Sequence, residues 1–183
     1  LRKFLHQLSF DTASVLRSLP FLILLGLGLA NLLSGAGLSS SRFGTSFYPV
    51  TGQLLRSIHG SYQFLLYLIV AYYAGEVVWR ERDARVAEPT DASPVPNWLP
   101  LFAKMGALFA VVLVFLAAGV LACIGYQLWH GYTNLELGVY LRGLLLEALP
   151  LGLIGAAAVF LQVMSNQKFV GYALLPREWF DWL

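Results

Sequence analysis

The sequence predicts an all-α membrane protein: an N-terminal interfacial amphipathic helix, four transmembrane helices, a partial fifth, and a polar helical hairpin between spans two and three. Its composition is 58% hydrophobic and only 12% charged, with a mean hydropathy of +0.67, which is too apolar for a soluble domain. About 20 helical residues cross a hydrocarbon core of roughly 30 Å. Four windows free of Asp, Glu, Lys and Arg are of about that length or longer: 18–41, 57–75, 105–135 and 148–167.

Residues 1–18 form the predicted interfacial helix. On a helical wheel one arc is apolar and the opposite arc is polar, as expected of a helix lying among lipid headgroups. Packing of this helix against soluble protein is the alternative. The apolar arc holds Phe4, Leu5, Leu8, Val15, Leu16 and Leu19, and the polar arc holds Arg2, Lys3, His6, Gln7, Ser9, Asp11, Ser14, Arg17 and Ser18.

The four spans are expected near 19–38, 56–78, 101–126 and 143–164. Pro20 is tolerated in the first turn of the first span. Three small-xxx-small pairs allow close helix packing, within the chain or across a dimer. They are Gly26 with Ala30, Gly106 with Ala110, and Gly152 with Ala156. The polar residues Gln63, Gln127 and Gln162 are expected to hydrogen-bond between helices.

The distribution of Lys and Arg predicts a cytoplasmic N-terminus. If the spans alternate, one side holds eight basic residues and the other side three, and the basic-rich side faces the cytoplasm. The charged block between spans two and three is then cytoplasmic. The cytoplasmic set is Arg2, Lys3, Arg17, Arg80, Arg82, Arg85, Lys104 and Lys168, and the outer set is Arg42, Arg56 and Arg142.

Segment 76–100 is predicted to be a stiff hairpin. The second span continues out of the membrane as a helix, because Glu76 and Arg80, like Glu81 and Arg85, are acid-first i,i+4 pairs. That helix ends near Ala87, before a proline-rich turn, and Asn97 caps the next helix. Five acids against three arginines favour a protein partner over a lipid surface.

Several functional classes lack support in the sequence. A net charge of +2 without a basic aromatic patch argues against a nucleic-acid partner. No nucleophile elbow, zinc-peptidase or phosphate-loop motif is present, and the three histidines lie in separate segments, so neither enzyme activity nor a metal site is expected. Cys123 is expected to be a small packing residue.

Glu147 is the candidate intramembrane polar site. It lies about one turn into the fourth predicted span, where it could face a water-filled path or bind a proton. The alternative places it at outer headgroup depth, near Arg142.

The C-terminal segment is irregular. Residues 169–175 start a fifth span that Pro176 interrupts, and residues 176–183 are expected to be interfacial or discontinuous. Missing residues between Leu175 and Pro176 are another interpretation. The first residue, Leu1, suggests a piece of a longer protein.

The stretch "GEVVWRERDARVAEPTDASPVPNW", residues 75–98, resembles the coupling segment of bacterial type-2 ABC exporter permeases. It is especially similar to the large permeases associated with, or fused to, a zinc aminopeptidase domain. The G-E-x-x-W-x-E-R-D and D-A-x-P-V-P-N-W pieces carry the resemblance, and the order of elements agrees more weakly over about residues 1–175. Six spans are expected of such a permease half, whereas this chain supplies four and a fragment.

The resemblance implies a multi-pass permease in the bacterial inner membrane, paired with a second permease half or a second copy. An ABC ATPase subunit or domain would bind ATP and magnesium, while this chain holds no cofactor and no peptidase motif. An aminopeptidase domain is a further implied partner. The alternatives are a membrane scaffold that binds a non-ATPase partner and a proton-coupled carrier that uses Glu147. The implied partner-coupling residues are Glu76, Arg80, Glu81, Arg82, Asp83 and Arg85.

Overall fold

The computed structural model describes residues 2–40, 49–83 and 98–164, and over these ranges the chain is all-helical, without strands. Six α-helices and one π turn form a single packed bundle with one core. In chain order they are α1 (Arg2–Leu16), α2 (Leu19–Ser40), α3 (Thr51–Ser57), the π turn (Ile58–Tyr62), α4 (Gln63–Asp83), α5 (Trp98–Trp129) and α6 (Leu137–Met164).

Among the described residues, three helices are long and apolar enough to cross a membrane, in agreement with the membrane character predicted from composition. They are α2 over Leu19–Gly37, α5 over Pro100–Trp129 and α6 over Leu137–Met164. The predicted second span, 56–78, does not form one regular helix. It falls on α3, the π turn and α4, whose apolar stretch Gln63–Trp79 is shorter than a typical span.

Two helix boundaries differ from their predicted positions. Helix α5 continues to Trp129 and ends in a Schellman motif, in which Gly131 has φ of +73°. There the Tyr132 N–H donates to the Gln127 carbonyl at 2.9 Å and the Gly131 N–H to the Leu128 carbonyl at 3.1 Å. Helix α6 begins at Leu137, six residues before the predicted start. Residues 84–97 and 165–183, which include the hairpin turn and the predicted fifth span, lie outside the described residues.

The centre of the bundle is built around Tyr62, the last residue of the π turn. Its fully buried ring stacks on Phe115 of α5, with ring centroids 4.5 Å apart, and its O–H donates to the Phe115 carbonyl at 3.0 Å. A Cβ on Gly28 of α2 would lie 2.7 Å from this ring, and a Cβ on Gly119 of α5 would lie 2.9 Å from it. Glycine at these two positions therefore gives the ring its space.

Helix α1 packs on α5 rather than lying apart from the bundle. A Cβ on Gly106 would lie 2.8 Å from Leu8 Cδ1, and Val15 is buried in the core. The helical wheel placed Asp11 on the polar arc, but Asp11 is 1% exposed, whereas the apolar-arc residue Leu5 is 53% exposed. The packing against α5 therefore changes which side of α1 is covered.

Two of the three small-residue pairs contact neighbouring helices within the chain. Gly106 contacts α1, and a Cβ on Gly152 of α6 would lie 2.7 Å from the Phe109 ring of α5. Gly26 differs, since no atom outside its own helix lies within 4 Å of an added Cβ and its neighbour Ala30 is exposed. That pair faces away from the bundle.

Candidate functional site

The predicted partner-coupling residues converge on the C-terminal end of α4. Glu76 is partly buried, and residues 80–83 form the last described turn of the helix. Arg85 lies outside the described residues. Helix α4 therefore carries five of the six residues: Glu76 lies within the apolar stretch that ends at Trp79, and the other four directly follow it.

Ser18 ties the α1–α2 connection to α4. Its hydroxyl donates to the Val15 carbonyl at 2.7 Å and accepts from the Phe21 N–H at 3.4 Å, which caps the first turn of α2. The Tyr73 hydroxyl of α4 lies 2.7 Å from the same oxygen. Because the single Ser18 proton is directed to Val15, Tyr73 is the donor in this contact. Ser18 thereby joins three helices, a role that no sequence motif indicates.

Trp79 makes another polar contact between α4 and a neighbouring helix, about 1.7 turns beyond Tyr73. Its indole N–H donates to Gln162 Oε1 of α6 at 2.9 Å, and Gln162 is 1% exposed. The Gln162 Nε2 atom is buried without a hydrogen-bond partner. The expectation that Gln162 bonds between helices is confirmed.

A buried network fixes the opposite end of the bundle. Gln127 of α5, which is fully buried, donates through Nε2 to the Pro49 carbonyl at 2.8 Å and accepts from the Tyr140 hydroxyl of α6 at 2.9 Å. Thr51 lies 3.4 Å from the same Nε2. Gln127 is confirmed as an interhelical residue, whereas Gln63 donates within α4 to the Tyr67 hydroxyl at 3.3 Å.

Glu147 pairs with a residue that the sequence did not indicate. Its Oε1 lies 2.6 Å from Nδ1 of His59, in the π turn, and the two residues are 88 positions apart. Because α6 begins at Leu137, Glu147 lies nearly three turns into its helix rather than one. Within the described part of the chain Arg142, its expected neighbour, is exposed and forms no ion pair with it.

Over the described ranges no group of three His, Cys, Asp or Glu residues converges. Cys123 is buried, which confirms its prediction as a packing residue. The polar contacts described above therefore join helices at both ends of the bundle and at the His59–Glu147 pair.

Comparison of the chain with family models, with curated proteins and with solved structures finds no match.

Proposed function

We propose that this chain is the transmembrane permease subunit of an ATP-driven exporter, in which α4 transmits movement from an ATPase partner to the membrane helices. The observation that carries the proposal is the unbroken helical run over residues 51–83. At about 1.5 Å per residue this run is about 50 Å long, which exceeds a bilayer of about 40–45 Å including headgroups. With Gln63–Trp79 in the membrane, residues 80–83 at the end of α4 extend beyond it.

The proposal counts four spans, with α3, the π turn and α4 together forming the second. The N-terminus and segment 76–100 then lie in the cytoplasm, as the distribution of Lys and Arg predicts. The membrane is the bacterial inner membrane, and a second copy or a second permease half completes the transporter. ATP and magnesium belong to the partner ATPase.

The contacts of α4 support transmission to two other parts of the bundle. Tyr73 holds the α1–α2 connection through Ser18, and Trp79 holds α6 through Gln162. These side chains lie six residues apart, about 9 Å along the helix axis. A displacement of the α4 end is therefore opposed by two hydrogen bonds unless α1, α2 and α6 move with it.

The test is charge reversal at the end of α4, Arg80→Glu with Arg82→Glu. Spin labels at Leu22 of α2 and Met164 of α6, both exposed, report helix movement in a Cys123→Ala background. With the ATPase bound, ATP and magnesium should change the label distance in the parent protein. The double variant should still hydrolyse ATP but show no change in label distance.

The matched control reverses Arg56 and Arg142, which are exposed on α3 and on the first turns of α6, toward the opposite end of the bundle. This control should keep the ATP-driven change in distance. An unchanged ATP response in the Arg80 and Arg82 double variant would contradict transmission through α4.

A further inference from the structure

We propose that His59 and Glu147 form a proton-binding site, and that a proton bound there holds the π turn against α6. This inference does not depend on the exporter proposal, since it concerns one contact inside the chain. Its basis is the 2.6 Å distance between His59 Nδ1 and Glu147 Oε1.

Both residues lie well inside their helices. His59 is about 12 Å along the helical run from Thr51, and Glu147 is about 15 Å along α6 from Leu137. Charged side chains in the helices of a membrane protein are usually paired with another polar group. The Glu147 side chain is 23% exposed, and its reduced contact with water strengthens its attraction to a protonated partner.

The geometry assigns the position of the bound proton. An ionised carboxylate can only accept, so Nδ1 carries a hydrogen in both the neutral and the charged imidazole. The additional proton binds at Nε2, the ring nitrogen that does not contact Glu147, and the His59 side chain is 62% exposed. Binding converts a pair of charge −1 into a neutral imidazolium–carboxylate pair and strengthens its hydrogen bond.

The two helices are irregular where the pair joins them. The i→i+5 bonds of the π turn are rare and less favourable than α-helical ones. On the other side Pro150 lies within α6, three residues after Glu147, and it has no N–H to bond the Leu146 carbonyl. The pair thus connects two helical segments whose backbone hydrogen bonding is locally weakened. A stronger pair should therefore make local unfolding of both segments less frequent.

Other ionisable groups on the packed elements do not take this proton. Arg56 of α3 and Arg142 of α6 are exposed, and neither forms an ion pair within the described part of the chain. The hydroxyls of Tyr62 and Tyr140 bond to α5. Residues 19–40, which form α2, contain no ionisable side chain.

The test is amide hydrogen exchange of the π turn in lipid nanodiscs, at pH 5.5 and pH 8.5, corrected for intrinsic exchange. Ordinary imidazole titrates between these values. Protonation of His59 adds a second charge to a hydrogen bond whose acceptor is already ionised, and the added attraction is expected to slow opening about fivefold. Amides of residues 58–62 in the parent protein should therefore exchange about fivefold more slowly at pH 5.5.

Glu147→Gln keeps the shape of the side chain but removes its charge, and it should abolish this pH difference. Arg142→Gln on the same helix is the matched control and should retain the difference. Equal protection of the parent protein at both pH values would overturn the proposal, as would a persisting difference in Glu147→Gln. If Glu147→Gln does not fold, the exchange rates of the parent protein at the two pH values test the proposal without it. The experiment uses no ATPase, so its outcome is independent of the exporter proposal.

Discussion

The position of Tyr62 between two glycines makes Gly28→Ala a sharp test of the packing. The added methyl would lie 2.7 Å from Tyr62 Cε2 and 3.0 Å from Phe115 Cζ, both aromatic ring atoms in a filled core. Relief requires the Tyr62 ring to move, which weakens its 3.0 Å hydrogen bond to the Phe115 carbonyl. Overpacking of this kind costs about 1–3 kcal/mol, and the weakened hydrogen bond adds about 1 kcal/mol.

Gly26→Ala is the matched control, because it lies two residues away on the same helix and no atom outside the helix is within 4 Å of its added Cβ. Both substitutions gain about 0.5–1 kcal/mol of helix propensity, so their difference isolates the contact with the ring. The net loss for Gly28→Ala is about 1–3 kcal/mol, which corresponds to a Tm lower by about 2–12 °C.

Cys123 provides the assay, because it is the single cysteine and is 1% exposed. A thiol-reactive fluorophore labels it only when the bundle opens, so labelling against temperature gives Tm. In a Tyr62→Leu background, where the ring is absent, Gly28→Ala should lower the Tm by a smaller amount. A Tm for Gly28→Ala equal to that of Gly26→Ala would refute the contact between Tyr62 and α2.

Three further substitutions test the polar contacts and the end of α5 in the same thiol assay. Ser18→Ala removes a helix cap and the contact with α4, so it should lower the free energy of unfolding by about 1–2 kcal/mol. Its control is Ser34→Ala, which should leave the free energy of unfolding almost unchanged because the Ser34 hydroxyl bonds only within α2. Gln127→Leu leaves a buried carbonyl and a buried hydroxyl without their partner, and it should cost about 2–4 kcal/mol. Gly131→Ala forces a side chain into the left-handed region and should cost about 1–2 kcal/mol, whereas Gly125→Ala, with open space around it, should not destabilise. If Ser18→Ala or Gly131→Ala has the same Tm as its control, the contact or cap that it tests is contradicted. A Gln127→Leu protein with the Tm of the parent would contradict the Gln127 network.

The sequence predicted the features that depend on composition and local chemistry. Helix α2 begins at Leu19 as expected, because an apolar window and the proline tolerated at Pro20 both locate its start. The helical continuation from the second span into the charged block is confirmed as far as Asp83. Close packing at Gly152 was also indicated by its spacing, although the partner helix was not.

The features that sequence reasoning missed depend on long-range contacts. Hydropathy does not detect the π turn, because one extra residue in a helical turn leaves an apolar window apolar. Helix α6 begins at Leu137 and so includes Tyr140, which bonds to Gln127 of α5, whereas the charge-based boundary at 143 was too late. His59 carried no motif, and only the folded chain brings it to Glu147.

The central claim is that the end of α4 contacts an ATPase, and site-specific cross-linking tests it most directly. A photoreactive residue at position 83 is compared with one at position 129, since Trp129 is 88% exposed at the other end of the bundle. The chain is isolated in mild detergent after illumination, and the attached protein is tested for magnesium-dependent ATP hydrolysis. We expect position 83, and not position 129, to capture a subunit that hydrolyses ATP. Capture of a protein without that activity at position 83, or equal capture at both positions, would contradict the claim.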